Sequence, residues 1–201
     1  MNLQLLTPPE VEPVSLADCY SHLRLDQIGS PAEHPDDTML TRQIKTAREF
    51  VERSTYRSLV RQRLMLSAAD FCGLGLQRPP LILVESVKYY DPANVLQTMD
   101  PAAYYVTGDL VPQLRLTNDS PPIVKTRRDA VRVTYWAGYQ PEGSPAGDDR
   151  ESLCANVPSA AVDAILLGVQ LLYDQLSPEQ RSAIERTREA LLQPLRVYGV
   201  A

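Results

Sequence analysis

The chain has 201 residues, 44% of them hydrophobic, which is enough for one domain with a sizeable core or for one core with an appended element. Its formal net charge is −5, so the phosphates of duplex DNA would be repelled unless a local basic surface compensated, and a general DNA-binding protein is disfavoured. The three cysteines are odd in number and far apart, which indicates neither a disulfide framework nor a zinc site and fits a reducing compartment.

The first third of the chain predicts two helices. Ser15, with Asp18 three residues later, forms a capping-box pattern before apolar residues at helical spacing, so a short helix begins here. After a proline-bearing loop, Asp36 or Asp37 can cap a longer amphipathic helix that reaches to about Tyr56.

The middle of the chain predicts short antiparallel strands separated by turn sequences such as "DPAN" and "NDSPP". We expect them at 58–70, 82–90, 95–98, 104–107, 113–116 and 130–137. In the last strand, alternation places Val131, Val133 and Tyr135 on one face and Arg132, Thr134 and Trp136 on the other.

The last third predicts two more helices. Pro158 stands just ahead of a strongly apolar helix, and Ser177 caps the next one, with Pro178 at its first position. That helix should end before Pro194.

The order helix, helix, strands, helix, helix predicts an α+β fold. We expect a small bundle of about four helices with an inserted antiparallel β-meander or small sheet, and long proline-rich loops, because 17 prolines cluster between the periodic segments. The expected divisions are N-terminal helices over 1–57, a β-strand insertion over 58–137, a long loop over 138–157, C-terminal helices over 158–193 and an extended docking tail over 194–201.

Searching for catalytic chemistry yields no candidate. His22 and His34 are the only histidines, and their positions favour packing or surface roles over catalysis. Asp36 and Asp37 could form a metal or acid pair, but helix capping explains them better. Cys154 looks like the most exposed thiol, and it has no activating neighbour in sequence. We therefore predict no catalytic residue, no metal, no cofactor and no enzymatic activity.

Two basic clusters could make electrostatic contacts. One pairs Arg61 and Arg63 on a strand face, and the other is "KTRRD", with Lys125, Arg127 and Arg128. A solvated strand edge that blocks unwanted pairing is the favoured interpretation, and phosphate contact is the alternative. Interleaved stacking aromatics are absent.

The C-terminal segment carries more apolar side chains than a solvated terminus normally has. They are Leu191, Leu192, Leu195, Val197, Tyr198 and Val200. Arg196 adds a donor for a carboxylate. Two outcomes are open from the residues alone: the segment folds back on its own helices, or it docks on a partner.

No apolar run approaches the about 20 residues that span a bilayer, and "MNLQLLTPPEVEP" lacks the regions of a signal peptide. We expect synthesis in the cytosol and no membrane partner.

Several stretches in order resemble the head–tail connector proteins of tailed bacteriophages, the adaptor or head-completion family, and within it the group with a possible role in DNA packaging. The stretches are "EPVSLADCYSHLRLD", "DDTMLTRQIKTAREFVERSTYRSLVRQ", "PPLILVESVKYYDPANVLQTMDPAAYYV", "AVRVTYWAGY" and "VPSAAVDAILLGVQLLYDQ", and "LLQPLRVYG" is similar to the usual ending. Together they span about residues 12 to 176.

This resemblance implies a structural subunit of the virion neck, assembled from the host cytoplasm. Such proteins form a ring, typically dodecameric, beneath the portal vertex, and seat the stopper or tail-completion protein. The implied partners are the portal protein, neighbouring copies, the stopper, and DNA that passes without sequence-specific binding. Tail docking on the portal or a neighbour is then favoured, and the candidate core or inter-subunit anchors are Tyr89, Tyr135, Trp136 and Tyr139. A DNA-packaging accessory that binds duplex DNA is the alternative, and a carboxylate or metal hydrolase is less favoured.

Overall fold

The computed structural model describes residues 1–26, 34–118, 120–139 and 153–198. The chain divides into two compact units. The first, called here the β unit, comprises Met1–Glu10, Tyr56–Gln140 and Val197–Ala201, and the second, the helical unit, comprises Val11–Thr55 and Pro141–Arg196. Helices and antiparallel sheets thus occupy separate parts of the molecule, which confirms the predicted α+β class.

The helical unit contains four α-helices in its described part. They are α1 (Leu16–Leu23), α2 (Asp37–Thr55), α3 (Ser159–Tyr173) and α4 (Pro178–Leu192). The predicted capping box at Ser15 and the predicted N-cap at Ser177 are confirmed: the Ser15 side chain accepts a hydrogen bond from the Asp18 main-chain N–H, and Ser177, which also forms a capping box, accepts one from the Gln180 main-chain N–H. Both pairs satisfy main-chain donors that the first turn leaves unpaired.

Helices α2 and α3 pack against each other, and α4 packs on α3. Their shared core is apolar: Leu40, Ile44, Ala47 and Val51 of α2, and Ala161, Ala164, Ile165 and Val169 of α3 are all buried. Gly168 of α3 lies so close to α2 that a Cβ on it would stand 3.1 Å from Ala47 Cβ. Small residues therefore permit the close approach of the two helices.

The β unit contains eight described strands. They are β1 (Asn2–Thr7), β2 (Gln62–Ala68), β3 (Leu74–Gly75), β4 (Leu81–Tyr90), β5 (Leu96–Thr98), β6 (Tyr104–Val106), β7 (Gln113–Leu116) and β8 (Val131–Ala137). Five form a sheet of order β1-β2-β8-β4-β5, and three form a second sheet of order β3-β7-β6. Every pairing is antiparallel.

The last strand lies at the centre of the large sheet, between β2 and β4, so the sheet is not a simple meander. Val131, Val133 and Tyr135 of β8 are fully buried. A strand with this many apolar residues is most stable where both of its edges are paired and one face is covered. Residues of both sheets form the core of the unit: Leu64, Leu66, Leu74, Leu76, Val87, Met99, Leu114, Val131, Val133 and Tyr135.

The structure departs from the sequence prediction at both ends. Residues 2–7, which were assigned to the N-terminal helical segment, form strand β1; the period-two alternation is short and is interrupted where Leu5 is followed by Leu6. At the other end, Gln193–Leu195 forms a 3₁₀ turn and Val197 is buried, so residues 194–197 are not an extended tail. Of the predicted 138–157 loop, residues 140–152 lie outside the described part.

Candidate assembly surface

The large sheet has a second face, opposite its apolar core. In register across it, Arg63 of β2 lies opposite Trp136 of β8, which lies opposite Leu83 of β4. At the other end, Ser67, Arg132 and Lys88 form the equivalent row. We call this surface the Trp136 face, defined by Arg63, Leu83, Lys88, Arg132, Thr134 and Trp136. It is the face that the alternation of β8 predicts to be away from the core.

One end of the Trp136 face carries the first predicted basic cluster. The Arg63 guanidinium donates two hydrogen bonds to the Glu85 carboxylate, at 2.6 and 2.5 Å. These hydrogen bonds lower the pKa of Glu85. Arg61 stacks over the Trp136 ring at 5.3 Å and lies 3.7 Å from the carboxylate of Glu10. Both arginines therefore have protein partners already. The predicted solvated strand edge is wrong for Arg63, because β2 is paired on both sides, by β1 and β8.

The other end carries part of the second cluster, arranged around the Tyr90 ring. The Arg127 guanidinium lies 4.0 Å from the ring centroid and that of Arg132 lies 5.1 Å from it. Asp129 joins the two arginines, accepting hydrogen bonds from Arg127 at 2.6 and 2.8 Å and from Arg132 at 2.7 Å. The Arg127 guanidinium, with Arg132, holds the pKa of Asp129 well below its usual range.

Lys125 and Arg128, the other members of this cluster, are exposed. No ion pair joins either of them to another residue in the described ranges. The second basic cluster is therefore divided: Arg127 belongs to a network that orders the end of the sheet, and Lys125 and Arg128 remain accessible cations.

The four aromatic anchors have different positions. Tyr135 is fully buried and Tyr89 packs edge-on against Phe71, with ring centroids 5.8 Å apart. Trp136 is only half-buried, on the opposite face from Tyr135. The half-buried Tyr139 donates its main-chain N–H to the carbonyl of Leu59 at 3.2 Å. Tyr135 is thus a core residue, and Trp136 is the aromatic residue of the opposite surface.

The C-terminal residues divide in the same way. Leu192 and Val197 are buried, and Leu191 and Leu195 are half-buried. Arg196 forms an ion pair with Glu189 at 2.7 Å and donates to the carbonyl of Ser54 at 3.2 Å. Tyr198 is 71% exposed. Val200 lies outside the described residues.

The acidic pair before α2 has structural partners. Asp37 accepts a hydrogen bond from the Tyr20 hydroxyl, which lowers the pKa of Asp37, and Asp36 accepts one from Tyr173 at 2.8 Å. Within the described ranges, no three His, Cys, Asp or Glu side chains are grouped as metal ligands would be. No described helix is long and apolar enough to cross a bilayer.

Sequence reasoning missed the uneven division of charge. The β unit contains ten Lys and Arg against eight Asp and Glu, and the helical unit ten against seventeen. All five predicted basic residues belong to the β unit. The overall charge of −5 therefore hides one unit that is slightly positive and one that is strongly negative, and a unit-by-unit count needs the structure because each unit is discontinuous in sequence.

The proteins that this chain resembles were found by comparison with solved structures. No family model and no curated protein matches the chain. Solved structures that contain a chain of similar fold include three of a gene transfer agent particle. One is the neck of an empty gene transfer agent particle computed with C6 symmetry (TM-score 0.74, 19% identity), another is the virion of the native particle (0.72, 19%), and the third is the neck of the native particle computed with C12 symmetry (0.68, 17%). Each match covers 100% of this chain and 98% of the other chain, so both units share the fold of one particle component.

Proposed function

We propose that this protein is a structural subunit of the neck of a phage-like particle, where it acts as a head–tail connector. The observation that carries this proposal is the match over the whole length of both chains to components of a particle and its neck. Fold alone does not define function. Here, however, the fold agrees with the family resemblance of the sequence. It also agrees with the Trp136 face, on which Arg63 is paired to Glu85 and Arg132 to Asp129.

The finer proposal is an adaptor that forms a ring beneath the portal. Closed rings use one surface of each copy against a different surface of the next. The C6 and C12 symmetries of the similar neck structures support a ring, and we propose twelve copies. Its partners are then the portal protein, neighbouring copies, the stopper or tail-completion protein, and DNA that passes through the channel without sequence-specific binding. The protein works in the virion and assembles in the host cytoplasm.

We propose that the C-terminus makes the portal contact, by a shorter segment than the sequence suggests. Leu192 and Val197 are buried in their own chain, so they are less available to a partner. Tyr198 is exposed and follows directly on this anchored stretch. An exposed aromatic side chain next to a fixed backbone loses little conformational entropy when it binds.

The experiment that tests this function is electron microscopy of the purified protein mixed with the portal protein of the same particle. We expect a ring at the outer end of the portal. The isolated chain should be monomeric or weakly associated in sedimentation velocity and should complete its ring on the portal. A mixture in which the two proteins sediment separately at all concentrations would contradict the proposal.

A further inference from the structure

The side chain of Arg188 in α4 is a half-buried cation without an acceptor. Its guanidinium lies 4.0 Å from the centre of the Phe50 ring, and a Cβ on Gly168 would stand 3.3 Å from its Nη1 atom. No hydrogen bond or ion pair reaches this guanidinium from any residue in the described ranges. Burial lowers the pKa of Arg188 against the opposing effect of Glu185 and Glu189, as expected of a desolvated cation that no carboxylate binds. Because the Phe50 ring covers only a face of the guanidinium, the donors at its edge remain open to an anion.

Apolar side chains border this cation. Phe50 is 40% exposed and Leu172 of α3 is 51% exposed. Leu172 follows Gly168 by one helical turn and lies on the same face of α3. We call Arg188, Phe50 and Leu172 the Arg188 site. Arginine and aromatic residues are enriched at protein interfaces, so the site fits a partner that presents a carboxylate beside an apolar side chain.

The loop between β6 and β7 presents such a pair of side chains. Asp109 is exposed, and Leu110 next to it is 60% exposed. Asp109 has no hydrogen-bond or ion-pair partner among the residues that the structure describes. Of the described large apolar residues that are exposed, only Phe50 and Leu110 adjoin an acidic residue. The one beside Phe50 is Glu49, and its carboxylate already lies 3.8 Å from the Arg48 guanidinium.

From these features we infer that the loop between β6 and β7 of one copy binds the Arg188 site of the next copy in the ring. Asp109 then pairs with Arg188, and Leu110 packs on Phe50 and Leu172. The inference rests on the proposed ring function. A closed ring requires two different surfaces on each copy, and these two surfaces are complementary in charge and in apolar contact. A carboxylate paired with a guanidinium at such a contact fixes the register of one copy on the next.

A DNA phosphate is the other anion that a guanidinium binds well. The surroundings of Arg188 favour the carboxylate, because a duplex backbone offers no apolar side chain to Phe50 and Leu172. Glu185 and Glu189 also act on Arg188, and they repel a row of phosphates more than a single carboxylate. The helical unit as a whole contains seventeen acidic residues against ten basic ones, which disfavours DNA further.

The test reverses each charge in the full chain, with Asp109→Arg and Arg188→Asp. Electron microscopy of each variant with the portal protein of the same particle counts closed rings. We expect about tenfold fewer closed rings or less from each variant than from the wild type, because like charges then meet at the contact.

The controls are Asp163→Arg and Arg42→Asp. Both residues are exposed and belong to neither surface, so these variants should close rings as the wild type does. Circular dichroism checks every fold. If a reversal misfolds, Asp109→Asn and Arg188→Gln replace the pair, and their double variant should lose no more than either single one.

Mixing the two reversed variants is the sharper measurement. Where they alternate, the arginine introduced at 109 meets the aspartate introduced at 188, and the next contact is the wild-type pair. An even number of copies, such as the proposed twelve, allows this alternation around the whole ring. An equimolar mixture should therefore close rings that neither variant closes alone, and salt should weaken them. A pair within one chain, or a contact with the portal, would not be restored by mixing.

Three results would overturn the inference. They are single variants that close rings as the wild type does, a mixture as deficient as its components, and a loss at Arg188 alone that is matched by weaker binding of a duplex DNA oligonucleotide. The last result would assign the Arg188 site to phosphate.

A wild-type chain that forms no ring with the portal would count against the proposed function instead. Sedimentation velocity at high protein concentration then decides the contact between copies: the wild type and the mixture should associate, and the single variants should not. A wild type that stays monomeric there as well would overturn the inference.

Discussion

The hydroxyl group of Tyr135 donates a hydrogen bond to the main-chain carbonyl of Gln77, with an oxygen–oxygen distance of 2.8 Å. Tyr135 is fully buried at the centre of the large sheet, and Gln77 lies between β3 and β4. Burial raises the pKa of the Tyr135 phenol above its usual range, so the hydroxyl stays neutral and remains a donor. The bond ties the central strand to the segment that connects the two sheets.

Removing this donor should destabilise the fold. Tyr135→Phe leaves a carbonyl unpaired and should lower the free energy of unfolding by about 1 kcal/mol. Tyr135→Ala should lower it by about 3–5 kcal/mol, because it also leaves a cavity. Urea denaturation measures both. Trp136→Ala is the neighbouring control. Because Trp136 is only half-buried, this substitution should lower the free energy of unfolding by less than the about 3–5 kcal/mol expected for a buried tryptophan. Equal losses for the two alanine variants would contradict this.

Gly138 should tolerate no side chain. Its φ is +140°, and a Cβ there would lie 2.5 Å from the carbonyl carbon of Val60. Gly138→Ala should therefore destabilise the protein by about 1–3 kcal/mol. Gly108→Ala is the matched control, because nothing lies within 4 Å of its Cβ position. Thermal unfolding of the two variants compares them directly, and similar midpoints would show that the turn at Gly138 relaxes.

The buried Arg48 should be needed for the stability of the helical unit. Its guanidinium donates to Glu12 at 2.7 Å and to Glu52 at 2.6 Å, and the side chains of Arg48 and Glu52 are 5% and 8% exposed. Arg48→Met should cost about 3–5 kcal/mol, because it removes the guanidinium charge that compensates the buried carboxylate of Glu52. Arg48→Met/Glu52→Leu should recover much of that loss in chemical denaturation. The exposed Arg42→Met on the same helix is the control, and a double variant no better than Arg48→Met would argue against the ion-pair explanation.

Thiol reactivity should follow exposure in the structure. Cys72 is exposed and Cys154 is half-buried, with its Sγ 3.8 Å from the carbonyl oxygen of Glu12; the interpretation of Cys154 as the most exposed thiol is therefore wrong. Cys19 is fully buried, and burial raises the pKa of its thiol to about 11. In the native protein at neutral pH, iodoacetamide should modify Cys72 first and Cys19 only after unfolding. Mass spectrometry of timed samples gives the order, and early labelling of Cys19 would contradict the buried position of α1.

Deleting residues 198–201 should separate docking from folding. The deletion leaves the buried Leu192 and Val197 in place, so circular dichroism and the unfolding midpoint should stay near native values while the chain loses co-purification with the portal. Tyr198→Ala should weaken the same interaction by about tenfold or more, as expected for an aromatic contact at an interface. Unchanged portal affinity in both variants would show that the C-terminus does not dock.

The sequence by itself determined the local elements. Helix caps at Ser15 and Ser177 and the alternation of β8 were readable because their signals lie within a few residues of each other. The same alternation correctly placed Tyr135 and Trp136 on opposite faces of one strand. The order of these elements along the chain was enough for the α+β class.

The tertiary structure decided everything that depends on residues far apart in the chain. The placement of β8 between β2 and β4, and the position of β1 at an edge, follow from pairings across many tens of residues, which no local pattern encodes. Asp129 binds both Arg127 and Arg132 only once the turn before β8 has formed, and Val197 is buried only where the folded chain supplies a surface. Local propensity is a property of neighbouring residues, whereas burial and strand order are set by the free energy of the whole packed chain.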